Sequence, residues 1–342
     1  MWTIDQFADR DLTRVAGTWA ICPPDGYPDA IPELAKQFPP GPVLYTGGLE
    51  NHPHVVAELM KTRELWGNPP DVLARVRDPF VLFPLLNDAG FRTPQLVPRG
   101  APCPTAGRWL RKPRASGGGI GIRFAEPGEA ASPLHDFQEW VEGTPLSAVF
   151  GGTTLLGVTE QLIGEPWLHA EPFAYCGTVG PRTVPPLVTT RCLHLGRSLV
   201  GSVGVCGHWG VDFLLADRAC AVEINPRYAA SVEVLEHAAG CSAFRPWLPG
   251  RTGPERVVGK AIYYAPHAVT FPSAGPWDAD LAGAFDPWRL PGYADIPDPG
   301  SAIRPGWPVL TFFAAGRTPA EVRERLKSRA AELDRLFAEH AP

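Results

Sequence analysis

Apolar and polar residues alternate in Gly210-Val-Asp212-Phe-Leu-Leu and again in Ala221-Val-Glu223-Ile-Asn225-Pro-Arg227, which predicts two paired strands. Thr153 to Ile163 alternates or runs apolar, as a strand of an antiparallel sheet should. Val15 to Ile21, Gly41 to Thr46, Gly259 to Tyr264 and Pro308 to Ala314 read as further strands, the first two of them buried. Helical periodicity runs from His54 to Lys61 after Pro53, from Asp78 to Asn87 before Ala89-Gly90, and from Ser231 to Ala239 before Gly240. The clearest helix is the last. Thr318-Pro-Ala-Glu321 is a capping box with proline at its first position, and Val322, Leu326, Leu333 and Phe337 form the apolar stripe behind it. Gly67-Asn-Pro-Pro breaks the chain between elements.

Residues two apart on a strand share a face, so Glu223, Asn225 and Arg227 can converge on one point, with Asp212 reaching it from the neighbouring strand. Two carboxylates and an amide oxygen are hard oxygen ligands, a set that suits Mg²⁺ bound to substrate phosphates. An arginine beside them suits a phosphoryl or carboxylate oxygen. A solvated hairpin face accounts for one acidic residue there, but poorly for four polar groups set between apolar runs. Well upstream, Trp109-Leu-Arg-Lys112-Pro reads as a short strand ending in lysine, followed by Ser116-Gly117-Gly118-Gly119 and another strand. Consecutive glycines let backbone N–H groups approach phosphate oxygens, and Lys112 adds a point charge; an ordinary hairpin turn is the competing reading.

Neighbouring patterns fail on chemistry. The stretch from Gly253 to Gly259-Lys260-Ala261 approaches a phosphate-binding loop but has the wrong spacing and lacks the hydroxyl, and Phe124 occupies the place of the third glycine of a dinucleotide fingerprint. His52-Pro-His54 has no third nitrogen or sulfur ligand at a usual spacing and reads as loop histidines. No nucleophile elbow, zinc helix or serine triad signature appears.

Composition narrows the classes. With 31 basic and 36 acidic residues, the chain of 342 carries −5, which argues against nucleic acid or an anionic membrane as the main partner. Its 44% apolar content and 11 tryptophans exclude general disorder, so the 40 prolines and 36 glycines belong in loops and strand ends. Seven cysteines without a C-x-x-C pair, no signal segment and no membrane-length apolar run lead us to expect a cytoplasmic protein.

The lysine strand, glycine loop and carboxylate strands together resemble the ATP-grasp superfamily over roughly residues 75 to 240. Lys112-Pro and Ser116-Gly117-Gly118-Gly119 look like its phosphate-binding lysine strand and glycine-rich lid. Phe137 to Ser147 is similar to its hinge, whose backbone, here Gln138, Glu139, Trp140 and Val141, hydrogen-bonds adenine. Asp212, Glu223 and Asn225 fall on its metal-ligand positions for Mg²⁺ or Mn²⁺. Glu223-Ile-Asn225-Pro-Arg227 is closest to the branch with carbamoyl phosphate synthetases, biotin carboxylases and small carbon–nitrogen ligases, in which the arginine contacts the acyl- or carboxyphosphate. Tyr45-Thr-Gly-Gly-Leu-Glu50-Asn and Leu65-Trp-Gly-Asn68 are similar to predicted ATP-dependent carboligases.

The resemblance implies an α/β (α+β) ATP-grasp fold, two α+β subdomains enclosing ATP after a reduced pre-ATP-grasp domain. Residues 1–76 would be that reduced domain, 77–136 the subdomain with the glycine lid, 137–250 the subdomain with hinge and metal site, and 251–342 a C-terminal β/α region. It implies ATP as cofactor and a ligase that activates a carboxylate as an acyl phosphate and joins it to an amine, with Lys112 and Arg227 catalytic. The substrates would be small molecules, amino acids in cofactor biosynthesis among the candidates, and a homodimer is left open. A carboxylase, a phosphotransferase and a non-catalytic ATP-binding module are the competing readings. Two features depart from the family: the stretch after Asp78 lacks the usual extra basic residue, with only Arg77 nearby, and Ile4 to Leu12 reads as starting inside the usual first domain, without its opening strand, glycine turn and helix.

Overall fold

The computed structural model describes residues 1–244 and 256–339. They form two compact units, one built from 42–160 and 182–232, the other from 1–41, 161–181 and the residues after 232. Residues 253–255 and the boundary expected at 250/251 lie outside the described residues, whereas Gly259 and Lys260 lie inside the strand Val257–Tyr264.

The first unit holds every residue singled out for chemistry. Its strands Ala219–Asn225, His208–Leu215, Thr144–Gly151 and Thr154–Ile163 are ordered side by side, the first three paired antiparallel and Thr144–Gly151 antiparallel to the fourth; the chain leaves the unit after Glu160. Alternation gives this sheet one apolar face. Leu146, Ala148 and Phe150 lie opposite Phe213, Val211 and Trp209 and are buried in one core with Ala221 and Ile224. The Phe150 and Trp209 rings stack 4.1 Å apart, an arrangement worth about 1 kcal/mol beyond the area buried. Val188, Cys192, Leu195 and Leu199 of the helix Pro186–Ser202 bury themselves in the same core. Gly196 permits the approach, since a Cβ there would stand 3.0 Å from a Phe150 ring carbon.

A separate antiparallel sheet orders Arg123–Phe124, Trp109–Pro113 and His135–Glu139. The helix Pro79–Asp88 begins where Asp78 accepts a hydrogen bond from the Phe80 amide, and it ends at Gly90 with φ +86°. In the other unit, Tyr175–Gly180, Val257–Tyr264, Pro308–Gly316 and Tyr293–Ala294 form an antiparallel sheet against the helix Pro319–Ala338. The Thr318 hydroxyl accepts from the Glu321 amide and Glu321 reaches back to the Arg317 amide, so the cap forms and all four expected stripe residues are buried.

The architecture is mixed α/β, as expected, but its first residues differ from the reading. Trp2–Asp5 pairs parallel with Thr18–Ile21 around the helix Arg10–Val15, so an opening strand and helix are present. The segment expected as a buried strand from Val15 therefore opens on the last residue of that helix, and its strand Thr18–Ile21 leaves Trp19 and Ile21 exposed because only one short neighbour pairs with it. Gly41 to Thr46 makes a single bridge, Val43 to Leu65, hemmed by prolines before it and Gly47-Gly48 after it.

Gly196→Val should lower stability by about 2 kcal/mol, because a branched side chain meets the Phe150 ring with no room to relax. A fall in the urea midpoint at unchanged slope is the expected measurement; an unchanged midpoint would show that the helix can shift outward.

Candidate functional site

The site begins with a β-bulge. Ala221 lies opposite Phe213, yet Glu223 lies opposite Asp212, so Val222 is an extra residue in its strand. Ala221 and Ile224 thus face the core, while Glu223 and Asn225 turn to the other face with Asp212 and Gly210. Without the bulge, Glu223 would face the core with Val211. Ser147 continues the row across Asp212, and Thr159 across Ser147; both are buried, and the Thr159 hydroxyl bonds that of Ser231 at 3.0 Å. One face of the sheet is therefore a core and the other a row of polar groups.

Within that row the Asn225 amide donates to Asp212 Oδ2 at 2.7 Å, which turns its Oδ1 away from Asp212. Lys112 Nζ stands 3.9 Å from Glu223 Oε2, whose side chain keeps 38% exposure. Burial pushes the Glu223 carboxyl up, but Lys112, Arg77, a hydrogen bond with Asp212 and Arg227 together hold it below the usual carboxylate range. Lys112 also donates to Gln138 Oε1 at 3.3 Å, which aims it from the strand Trp109–Pro113.

Arg227 arrives differently from the alternation reading. The strand ends at Asn225 and the chain turns, with the Arg227 amide bonding the Asn225 carbonyl at 2.9 Å. Asn68 fixes this turn. Fully buried, it donates to the carbonyls of Cys206 and Pro226 and accepts from the Cys206 amide, while its own carbonyl takes the Tyr45 hydroxyl. The Arg227 guanidinium then meets Glu50 Oε1 at 2.6 Å, and Glu50 is only 2% exposed.

The glycine loop needs its composition. Gly118, Gly119 and Gly121 have φ of +61°, +79° and +76°, a region closed to most side chains. Ser116 Oγ caps the turn on the Ile120 carbonyl at 2.6 Å, and Arg77 donates to the Ser116 carbonyl at 2.6 Å and to Asn51 Oδ1 at 2.8 Å. Gln138 and Glu139 end the strand His135–Glu139, and the amides of Glu139 and Trp140 donate to the carbonyls of Gln95 and Arg108. Trp140 packs edge-on against Phe124 at 5.4 Å, with Arg108 over both rings, and Val141 follows in the turn to Thr144.

Asp212, Glu223, Asn225, Lys112, Arg227, the glycine loop and the 138–141 stretch thus all belong to one unit. No group of three or more His, Cys, Asp or Glu able to hold a metal exists among the described residues. Two carboxylates and an amide oxygen on one face nevertheless fit a magnesium ion that takes its remaining oxygens from phosphates and water. His52 and His54 meet in a T-shaped contact with ring centroids 6.0 Å apart, and among the described residues no metal-holding cluster includes them. The sequence alone assigns no role to Glu50, Asn68 or Arg77; the structure ties the first two to Arg227 and its turn and the third to the glycine loop. A buried asparagine between glycine and two prolines was the available signal.

Glu223 lies below its ordinary value of 4.5, so its share of stability is present above pH 4.5 and is lost as pH falls through the lower folded value. Lys112→Met should raise the Glu223 carboxyl, shrink that contribution and complete its acid-side loss at higher pH. A ¹³C NMR titration of the Glu223 carboxyl reads this directly, and an unmoved curve would mean that the two groups do not interact.

Residues 76–231 match the family model described as an ATP-grasp domain. No curated protein sequence is significantly similar to the chain. Among solved structures, the biotin carboxylase domain dimer of the Hydrogenobacter thermophilus 2-oxoglutarate carboxylase, in complex with MgADP, ADP and bicarbonate, is similar at TM-score 0.66 and 14% identity, covering 96% of this chain and 88% of that one. The N5-carboxyaminoimidazole ribonucleotide synthetase of Thermotoga maritima gives 0.60 at 16% identity, covering 97% and 90%. The L-amino acid ligase of Bacillus licheniformis gives 0.62 at 12% identity, covering 97% and 96%. The polar row, the lysine strand and the glycine loop all fall within residues 76–231, which form an ATP-grasp domain, and the solved structures share its fold.

Proposed function

We propose that the chain is an ATP-dependent ligase that activates a small-molecule carboxylate as an acyl phosphate and joins it to an amine, releasing ADP and phosphate. One observation carries this reading: Lys112 faces the Asp212–Glu223–Asn225 oxygens in one unit, beside the glycine loop. A polyphosphate between them would have a cation on one side and oxygen ligands for its counter-ion on the other. Mg²⁺ or Mn²⁺, when bound, would offset the charge developing on the β- and γ-phosphates. The glycine loop covers the transferring group with its amides, and Arg77 tethers that loop through Ser116. Gln138 to Val141 would receive the adenine with its backbone.

A carboxylate oxygen attacks the γ-phosphorus and its bond to the β-phosphate oxygen breaks, leaving ADP. Arg227 steadies the oxygens of the acyl phosphate. The amine then attacks the acyl carbon, phosphate leaves, and the amine proton passes to solvent. Keeping water out until that attack is what makes a closing loop useful, since an acyl phosphate hydrolyses. The fold shared with the L-amino acid ligase supports the reading, whereas the bicarbonate held by the carboxylase domain favours a second one, carboxylation through carboxyphosphate. Screening carboxylates and amines for ADP release tests the first; ADP release that requires bicarbonate and no amine would identify the second.

Glu223→Gln keeps the shape of the site and removes a charge facing the counter-ion. Turnover should fall by about 10²-fold with the fold intact, and more than half the wild-type ADP release would remove Glu223 from the metal set.

Lys112→Met and Arg227→Met should separate. The first should weaken ATP binding measured by calorimetry, and the second should leave ATP binding near normal while lowering kcat, because a contact made mainly in the transition state shows in kcat. Loss of ATP binding in Arg227→Met with Lys112→Met nearly silent would reverse the assignment.

A further inference from the structure

Arg227 and the glycine loop are both tied to one short turn of the first unit. Gly48 bends the chain at φ +80° and ψ −46°, outside the regions that residues with side chains occupy. The 3₁₀ turn Leu49–Asn51 follows, closed by bonds from the Leu49, Asn51 and His52 amides to the carbonyls of Gly47, Gly48 and Leu49. Leu49 is buried, and the helix Pro53–Met60 behind it buries Val55, Val56 and Leu59, so the turn stands on close-packed side chains.

With three residues per turn, successive side chains of a 3₁₀ helix point roughly 120° apart, so Glu50 and Asn51 reach different partners. Glu50, itself buried, accepts from Arg227 Nε at 2.6 Å. A guanidinium is planar, and holding Nε fixes the plane of the whole group. Its outer edge is held less firmly, since Nη1 makes only a long contact of 3.4 Å with the Tyr228 carbonyl. Asn51 Oδ1 accepts instead from Arg77 Nη2 at 2.8 Å, and the same nitrogen bonds the Ser116 carbonyl at 2.6 Å, where the glycine loop begins. Ser116 then closes that loop on the Ile120 carbonyl.

We propose that Glu50 and Asn51 are positioning residues on one rigid bracket, Glu50 aiming the Arg227 guanidinium and Asn51 aiming the start of the glycine loop through Arg77. The bracket sets the spacing between the group assigned to the acyl phosphate and the loop assigned to cover the transferring phosphoryl. Spacing of that kind matters because a misplacement of about 1 Å can cost roughly 10²-fold in rate. The proposal goes beyond the ligase reading and rests on it only for what Arg227 and the loop act upon. Neither residue is assigned a contact with substrate; each acts through an arginine. Glu50 without Arg227 would be a buried charge lacking its counter-ion, which favours keeping the pair intact.

The test is NMR on the full chain, with Mg·ATP calorimetry on the same variants. Glu50→Gln keeps the shape and exchanges a charge-assisted bond for a neutral one. Solvent exchange of the Arg227 Nε–H should quicken by about tenfold, while the ¹⁵N–¹H NOE of Gly117, Gly118 and Gly119 keeps its wild-type value. Asn51→Ala should do the reverse: lower that NOE, weaken Mg·ATP binding by about fivefold, and leave the Arg227 exchange unmoved. Asn51→Asp gives Arg77 a charged acceptor and should restore both loop readouts, a rescue that a merely structural asparagine would not show. Gly48→Ala cannot hold the backbone of that turn and should move the Arg227 and loop signals together. Because Glu50 is buried, the half-buried Asn51 carries the test should Glu50→Gln fail to fold. Unmoved Arg227 exchange in a folded Glu50→Gln, unchanged loop order in Asn51→Ala, or a single signal moving in Gly48→Ala would overturn the proposal. The expected NMR changes in a protein that releases no ADP with any carboxylate and amine would support the bracket and remove the ligase reading. ADP release with all three variants silent by NMR would remove the bracket alone.

Discussion

Two carboxylates placed directly across a pair of strands would repel one another if both stood bare, and the site depends on how that charge is offset. Asp212 and Glu223 are held opposite by the register of their strands, so separating them is closed to the backbone. The remedy lies in what surrounds them: the Asn225 amide on Asp212, Lys112 near Glu223, and Arg77 and Arg227 further out. These groups come from separate stretches of chain, and the favourable balance exists only when they are assembled. At an effective dielectric near 20, a unit pair at about 4 Å is worth roughly 4 kcal/mol before desolvation; with Glu223 keeping 38% exposure, solvent screening brings the net share nearer about 1 kcal/mol.

The same charges define what the site can accept. An array of oxygens facing a lysine attracts a divalent cation together with the polyanion that shares it, and gives either alone less reason to stay. Arg227 is set apart from this array by its pairing with Glu50, and Asn68 holds the turn that delivers it. A loop outside the matched domain boundary, before residue 76, therefore helps to place a residue inside it. Under the proposed reading, the matched domain would hold the nucleotide and the flanking loops would face the other substrate.

Much of this was legible in the sequence because it was local. The alternating pair of strands, the lysine before the glycine run and the capped final helix each rest on residues within a few positions of each other. The bulge at Val222 was not legible, since Ala221-Val-Glu223-Ile-Asn225 alternates whether or not one residue is extra, and only the partner strand reveals which face each side chain takes. Glu50 was equally hidden: its pairing with Arg227 spans most of the unit, and nothing near Glu50 in the chain announces it. The opening strand Trp2–Asp5 escaped because it is short, half exposed and paired with only one neighbour, so burial leaves little pattern on it. Long-range pairing was the missing information in each case.

The bulge has one more consequence. Val222 belongs to neither face of the sheet: it opposes no residue on the next strand and is only half-buried, while both neighbours are committed, one to the core and one to the oxygen array. It is a position at which side-chain identity is uncoupled from both packing and charge. A cysteine carrying a fluorine reporter there would sit one residue from Glu223 without occupying its place, giving a spectroscopic test of whether a cation or a nucleotide arrives.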